Sequence, residues 1–111
     1  MNDMPMRELA VELVVLLDQL CSNIDGRSVF KNQLLRSGSS IGANIHEARY
    51  AQSSADFISK LEIALKECYE TEYWLEIMKD ADIITAHRYN ELISECGYNV
   101  DNIYNSIISA K

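Results

Sequence analysis

The sequence predicts an all-α fold, an antiparallel up-and-down four-helix bundle forming one domain over residues 1–111. Three observations carry that expectation. Apolar residues recur at spacings of three and four along four long stretches. One proline and four glycines are too few for the many turns of a sandwich or barrel. No stretch alternates apolar and polar residues between turn signals, and no internal repeat or low-complexity segment appears. A chain of 111 residues with 48% apolar side chains suits one globular domain and argues against disorder.

The first helix is expected from about Met4 to Cys21. Asp3 is positioned to cap it, and Pro5 falls in the first turn, where a missing N–H does no harm. Leu9, Leu13, Leu16, Leu17 and Leu20 form its apolar stripe. Asn23, Asp25 and Gly26 then supply turn chemistry.

The second stretch, about Ser28 to Ala51, is unusual at its centre. Ser37-Gly38-Ser39-Ser40-Ile41-Gly42-Ala43-Asn44 reads as a loop by composition alone. Yet no proline interrupts it, and Leu34, Leu35, Gly38, Ile41, Gly42, Ile45 and Ala48 keep helical spacing. The pattern favours one continuous helix. Gly38 and Gly42 then stack on one face and let a neighbouring backbone approach closely. Each glycine costs about 1 kcal/mol against alanine in a helix, so packing must compensate.

The third helix opens with Ser53 and Asp56, a capping-box variant. Phe57, Leu61, Ala64, Leu65, Cys68, Glu72 and Leu75 line one face, and Glu62 to Lys66 has the favourable i,i+4 order. Asp80 to Ile84 is a short connection. Thr85 caps a fourth helix running to about Ser109, with Tyr89, Leu92, Ile93, Cys96, Val100, Ile103 and Ile107 in helical register. Gly97 is its expected weak point. Helices of roughly 18–27 residues are about 27–40 Å long, and short links force them to lie beside each other.

The chain carries 17 acidic and 10 basic side chains, a formal charge of -7. That balance is poor for a protein that lives by neutralising phosphates. The acid is uneven: residues 23–66 hold six basic and four acidic side chains, whereas residues 67–111 hold three basic and nine acidic. No basic n-region with an apolar core opens the chain, and the longest apolar run, Leu13 to Leu17, is far short of the roughly 20 residues that span a bilayer. A soluble, cytoplasmic protein without membrane partners is expected. Cys21, Cys68 and Cys96 are odd in number and lack a CxxC spacing, which reads as reduced thiols packed as small apolar residues.

Catalytic and metal motifs fail on inspection. His46-Glu47 begins like HExxH, but the second histidine position is Tyr50. Glu-x-x-His fails because Ala43 and Ile84 precede His46 and His87 by three. No phosphate-binding loop or nucleophile elbow exists. The serines near Gly38 read as small packing residues. The expectation is no enzyme, no catalytic residue, no metal and no cofactor.

Among polar residues, Arg36, Asn44, Glu47, Glu67 and Glu70 stand out. They read either as solvated helix surface or as a polar network between the second and third helices, with Arg36 or Asn44 paired to Glu67 or Glu70. Arg27, Lys31, Arg36 and Arg49 fall on the second helical stretch as a thin basic strip, a candidate for nucleic acid. No aromatic residues interleave with it for stacking, so ordinary solubilising charge is the simpler reading.

The run Gln33-Leu34-Leu35-Arg36-Ser37-Gly38-Ser39-Ser40-Ile41-Gly42-Ala43-Asn44-Ile45-His46-Glu47-Ala48 resembles the signature of small bacterial four-helix-bundle proteins related to the 23S rRNA intervening-sequence proteins. The likeness continues through Asp56 to Leu61 and Lys66 to Leu75. His46 departs from the small residue usual at its place. The resemblance implies an antiparallel bundle with a helical serine- and glycine-rich run, assembly into a homo-oligomeric ring, typically a homopentamer, and no established enzymatic activity. It also brings in a relative, the accessory protein of diversity-generating retroelements, described as a basic barrel that binds reverse transcriptase and nucleic acid.

The function expected is that of a self-assembling interaction or scaffold module with protein partners. Tyr50, Tyr69, Tyr73, Trp74 and Tyr104 add to that expectation, because interfaces favour aromatics, although a small bundle can also pack them all inside one monomer. The alternative is a nucleic-acid-binding accessory protein using the basic strip.

Overall fold

The computed structural model describes residues 4–26 and 28–111. Asp3 and Arg27 lie outside the described residues. Four helices follow in order: α1 over Met4–Ser22, α2 over Val29–Ala48, α3 over Ser54–Asp80 and α4 over Ala86–Ala110. No strand occurs among the described residues.

Helices α2, α3 and α4 each start where a side chain can replace missing backbone bonds. The Ser28 hydroxyl accepts from the Phe30 amide at 3.1 Å, that of Ser53 from Asp56 at 3.0 Å, and that of Thr85 from Arg88 at 3.1 Å. Asp56 also accepts from the amide of Gln52, the residue before the cap, at 3.1 Å. Asp82 turns the chain after α3 with a left-handed φ of 59°, a conformation aspartate tolerates better than bulkier residues. The Ile83 amide then returns to the Met78 carbonyl at 2.8 Å.

The helices form a four-cornered bundle. α1 packs on α2 and α4, and α3 packs on α2 and α4, so that α1 and α3 stand at opposite corners, as do α2 and α4. The bundle measures 44 × 22 × 19 Å, the length set by α3. Leu13, Leu17, Leu34, Ile41, Leu61, Leu75, Leu92 and Ile103 are wholly buried along its axis. The serine- and glycine-rich run is helical throughout, as its spacing predicts. α2 ends at Ala48, three residues before the expected Ala51, because the Arg49, Tyr50 and Ala51 amides turn back to carbonyls three residues earlier. Gly97 does not interrupt α4.

Candidate functional site

The small residues of α2 set the geometry of the α1–α2 face. A Cβ on Gly42 would meet the Ala10 Cβ at 3.5 Å, and one on Gly38 would run into Leu17 Cδ1. The two helices therefore lie close. Outside this seam runs a shallow apolar groove. Its first part, about 270 Å³, lies between Val11 and Val14 of α1 and Ser39 and Ala43 of α2, with Arg7 and His46 at its end. It continues through Val14 and Ser39 to Val15, Leu35, Asp18 and Gln19. Val11 and Val15 are about half exposed, at 49% and 47%. These valines stand outside the leucine stripe that predicts α1. The signal was present as a second apolar stripe on α1, opposite the leucines.

The singled-out polar residues divide. Arg36 reaches across to α3, pairing with Glu67 at 3.5 Å and with Glu70. Asn44 does not join them; its amide donates to the Ser40 carbonyl of its own helix at 2.8 Å. Glu47 pairs instead with Lys60, at 3.4 Å and largely in solvent. The ion pairs of Arg36 are also open to water, so they add little stability. The buried polar contacts are others. The Ser37 and Thr71 hydroxyls meet between α2 and α3, 2.9 Å apart. Asn99 donates to the Leu9 carbonyl at 3.2 Å and to the Glu95 carbonyl at 3.0 Å, tying α4 to α1.

The basic strip is already partly engaged. Lys31 donates to the Ile24 carbonyl at 3.0 Å and the Gly26 carbonyl at 2.6 Å, closing the α1–α2 connection. Arg36 is held by the two glutamates. Arg49 is exposed and has a partner within the chain. Arg27 lies outside the described residues.

The thiols are built for packing. Cys21, Cys68 and Cys96 are free and buried. Burial, reinforced by Glu72 and Glu67, pushes Cys68 up to about 12. Burial also raises Cys96, with Cys68, Glu72 and Glu95 adding to it, and raises Cys21 against the opposing pull of Lys31. Thiols held protonated in this way are poor nucleophiles. Among the described residues no group of three or more His, Cys, Asp or Glu side chains could hold a metal ion. No helix is long and apolar enough to cross a membrane, among the described residues.

The aromatics also divide. Tyr50, Tyr69, Tyr73, Tyr98 and Tyr104 are exposed. Trp74 is not part of that surface: its indole donates to Glu70 at 3.1 Å, and its ring packs near Phe30 and edge-on to Tyr73.

Comparison with known proteins agrees with this architecture. A search of curated proteins finds no match. A protein of unknown function from the S23 ribosomal protein family of Bacteroides thetaiotaomicron VPI-5482 superposes with a TM-score of 0.87 at 41% identity, covering 92% of this chain and 97% of that one. The family model of the 23S rRNA-intervening sequence protein matches residues 3–105. That match takes in the helical serine- and glycine-rich run, α1 to α3 and most of α4, and the chain belongs to the 23S rRNA-intervening sequence protein family.

Proposed function

We propose that this protein is a non-enzymatic, self-assembling helical-bundle protein that serves as a protein-interaction or scaffold module in the bacterial cytoplasm. The observation that carries the reading is the exposed apolar groove between α1 and α2. A bundle of this size has enough leucine and isoleucine to fill its own core, as α1 does with Leu13 and Leu17. Valines left half in water on the opposite face of the same helix contribute nothing to that core. Contiguous apolar surface of this kind marks interaction sites. The buried thiols support the non-enzymatic half of the reading, and reduced cysteines suit a reducing compartment.

The assembly is a homo-oligomer, and the family resemblance favours a pentameric ring. Sedimentation equilibrium over a dilution series tests it. The expected result is a mass several times that of one chain, held down to low micromolar concentration. A mass of one chain throughout that range overturns the reading.

A further inference from the structure

We propose that the α1–α2 groove receives the C-terminal half of α4 from a second copy of this chain, so that copies join head to tail. The inference rests on the self-assembly reading and adds which two surfaces meet.

The ridge that fits the groove is on α4. Tyr98, Tyr104 and Ile108 are 56%, 53% and 50% exposed. With Asp101 they share one outward face of the helix, opposite the buried Asn99, Ile103 and Ile107. Three large side chains standing free on one face form a convex surface. The groove is its converse, since Ser39, Gly42 and Ala43 leave α2 nearly flat beside the α1 valines.

Charge selects α4 over the other tyrosine-bearing helix. Tyr69 and Tyr73 of α3 alternate with the exposed Glu62, Lys66 and Glu76, and Tyr73 already packs on Trp74 with ring centroids 4.9 Å apart. Within α4 the outward face beyond Glu95 carries a single charge, Asp101, and Lys111 follows just past the helix end. Interface centres take up aromatics and exclude charge. The middle of the groove is uncharged, with Arg7 at one end and Asp18 at the other. Arg7 and Asp101 make no ion pair among the described residues. A docked α4 brings opposite charges to both.

A groove cannot fill a groove, and a ridge cannot fill a ridge. The contact is therefore heterologous, the kind that closes into a ring when its rotation divides the circle. Two double variants test it. Val11→Glu with Val15→Lys spoils the groove, and Tyr104→Glu with Ile108→Lys spoils the ridge. All four positions are exposed, and each new Glu–Lys pair has the helix-favouring i,i+4 order.

Each double variant alone should self-associate at least about 30-fold more weakly than the unaltered chain and run as a monomer. Their equimolar mixture should form a 1:1 dimer and stop, since one intact groove meets one intact ridge. Ala43→Trp fills the groove without adding charge and should behave as the groove variant if the latter loses helical signal. An unaltered chain that is monomeric overturns the self-assembly reading and this inference together. An unaltered chain that assembles, with either variant still assembling alone or with a monomeric mixture, overturns the head-to-tail contact only.

Discussion

The Thr71 hydroxyl lies 2.9 Å from the Ser37 hydroxyl, and both side chains are wholly buried between α2 and α3. Thr71 also lies 2.8 Å from the Glu67 carbonyl, and Ser37 lies 3.2 Å from the Leu34 carbonyl. Two hydroxyl protons thus serve three contacts. Among the described residues this is the one buried side-chain-to-side-chain hydrogen bond between helices. It fixes the register of the α2–α3 seam, where polar atoms would otherwise be stranded in an apolar core.

Thr71→Val keeps the side-chain shape and removes the hydroxyl, and Ser37→Ala removes its partner. Each should lower unfolding free energy by about 1 kcal/mol, and the double variant should lose less than the sum. Urea denaturation of the four proteins reads this directly. Strict additivity would contradict a shared contact.

The glycines should separate by their surroundings. Nothing lies within 4 Å of a Cβ built on Gly97, and the one on Gly42 makes ordinary contact. Gly97→Ala should therefore raise stability by up to about 1 kcal/mol, and Gly42→Ala should leave it unchanged or raised. Gly38→Val should lower it by about 1–3 kcal/mol, because Leu17 is wholly buried and has little room to yield. Thermal melts rank the three; a Gly38→Val protein as stable as the parent would contradict the close α1–α2 approach.

Glu72 gives a pH dependence with a definite sign. Burial raises its carboxyl above the ordinary value of 4.5. The folded chain then holds a proton that the unfolded chain has released. Stability from this group is fully present below about pH 4.5 and is lost as pH rises through the raised folded value. The neighbouring Cys68 thiol, pushed up to about 12, stays protonated over this range, as does Cys96. Glu72→Gln should raise the urea midpoint at pH 7, and the gain should shrink as pH falls toward 4.5. A gain that does not change with pH would contradict burial as the cause.

Nucleic acid gives a negative prediction. Lys31 and Arg36 spend their charge inside the chain, on carbonyls and on glutamates. Filter binding with single-stranded RNA or DNA at low salt should show no retention at micromolar protein. Retention that falls steeply with added salt would overturn this and point to phosphate neutralisation.

Periodicity made the helices legible, even through Ser37 to Asn44, because spacing keeps one face apolar whatever the local composition. Opposite charges made Arg36 with Glu67 and Glu70 legible. Asn44 and Glu47 were placed with them by sharing a face, but helix rotation turns them elsewhere, one to its own backbone and the other to Lys60. Thr71 and Asn99 were missed although the pattern held a trace of each: a polar residue at core spacing beside Cys68 and Cys96. Nothing local says which partner such a residue finds. The α1 valines were missed because one leucine stripe already explained the helix.

Self-assembly into a closed ring through the exposed apolar face has a direct readout in mass. Native mass spectrometry at about 10 µM protein, within the range where specific assemblies persist, tests it most directly. The expected spectrum holds one discrete assembly, five times the 12.6 kDa chain mass. A spectrum holding only the single chain, or an open ladder of every size, would contradict it.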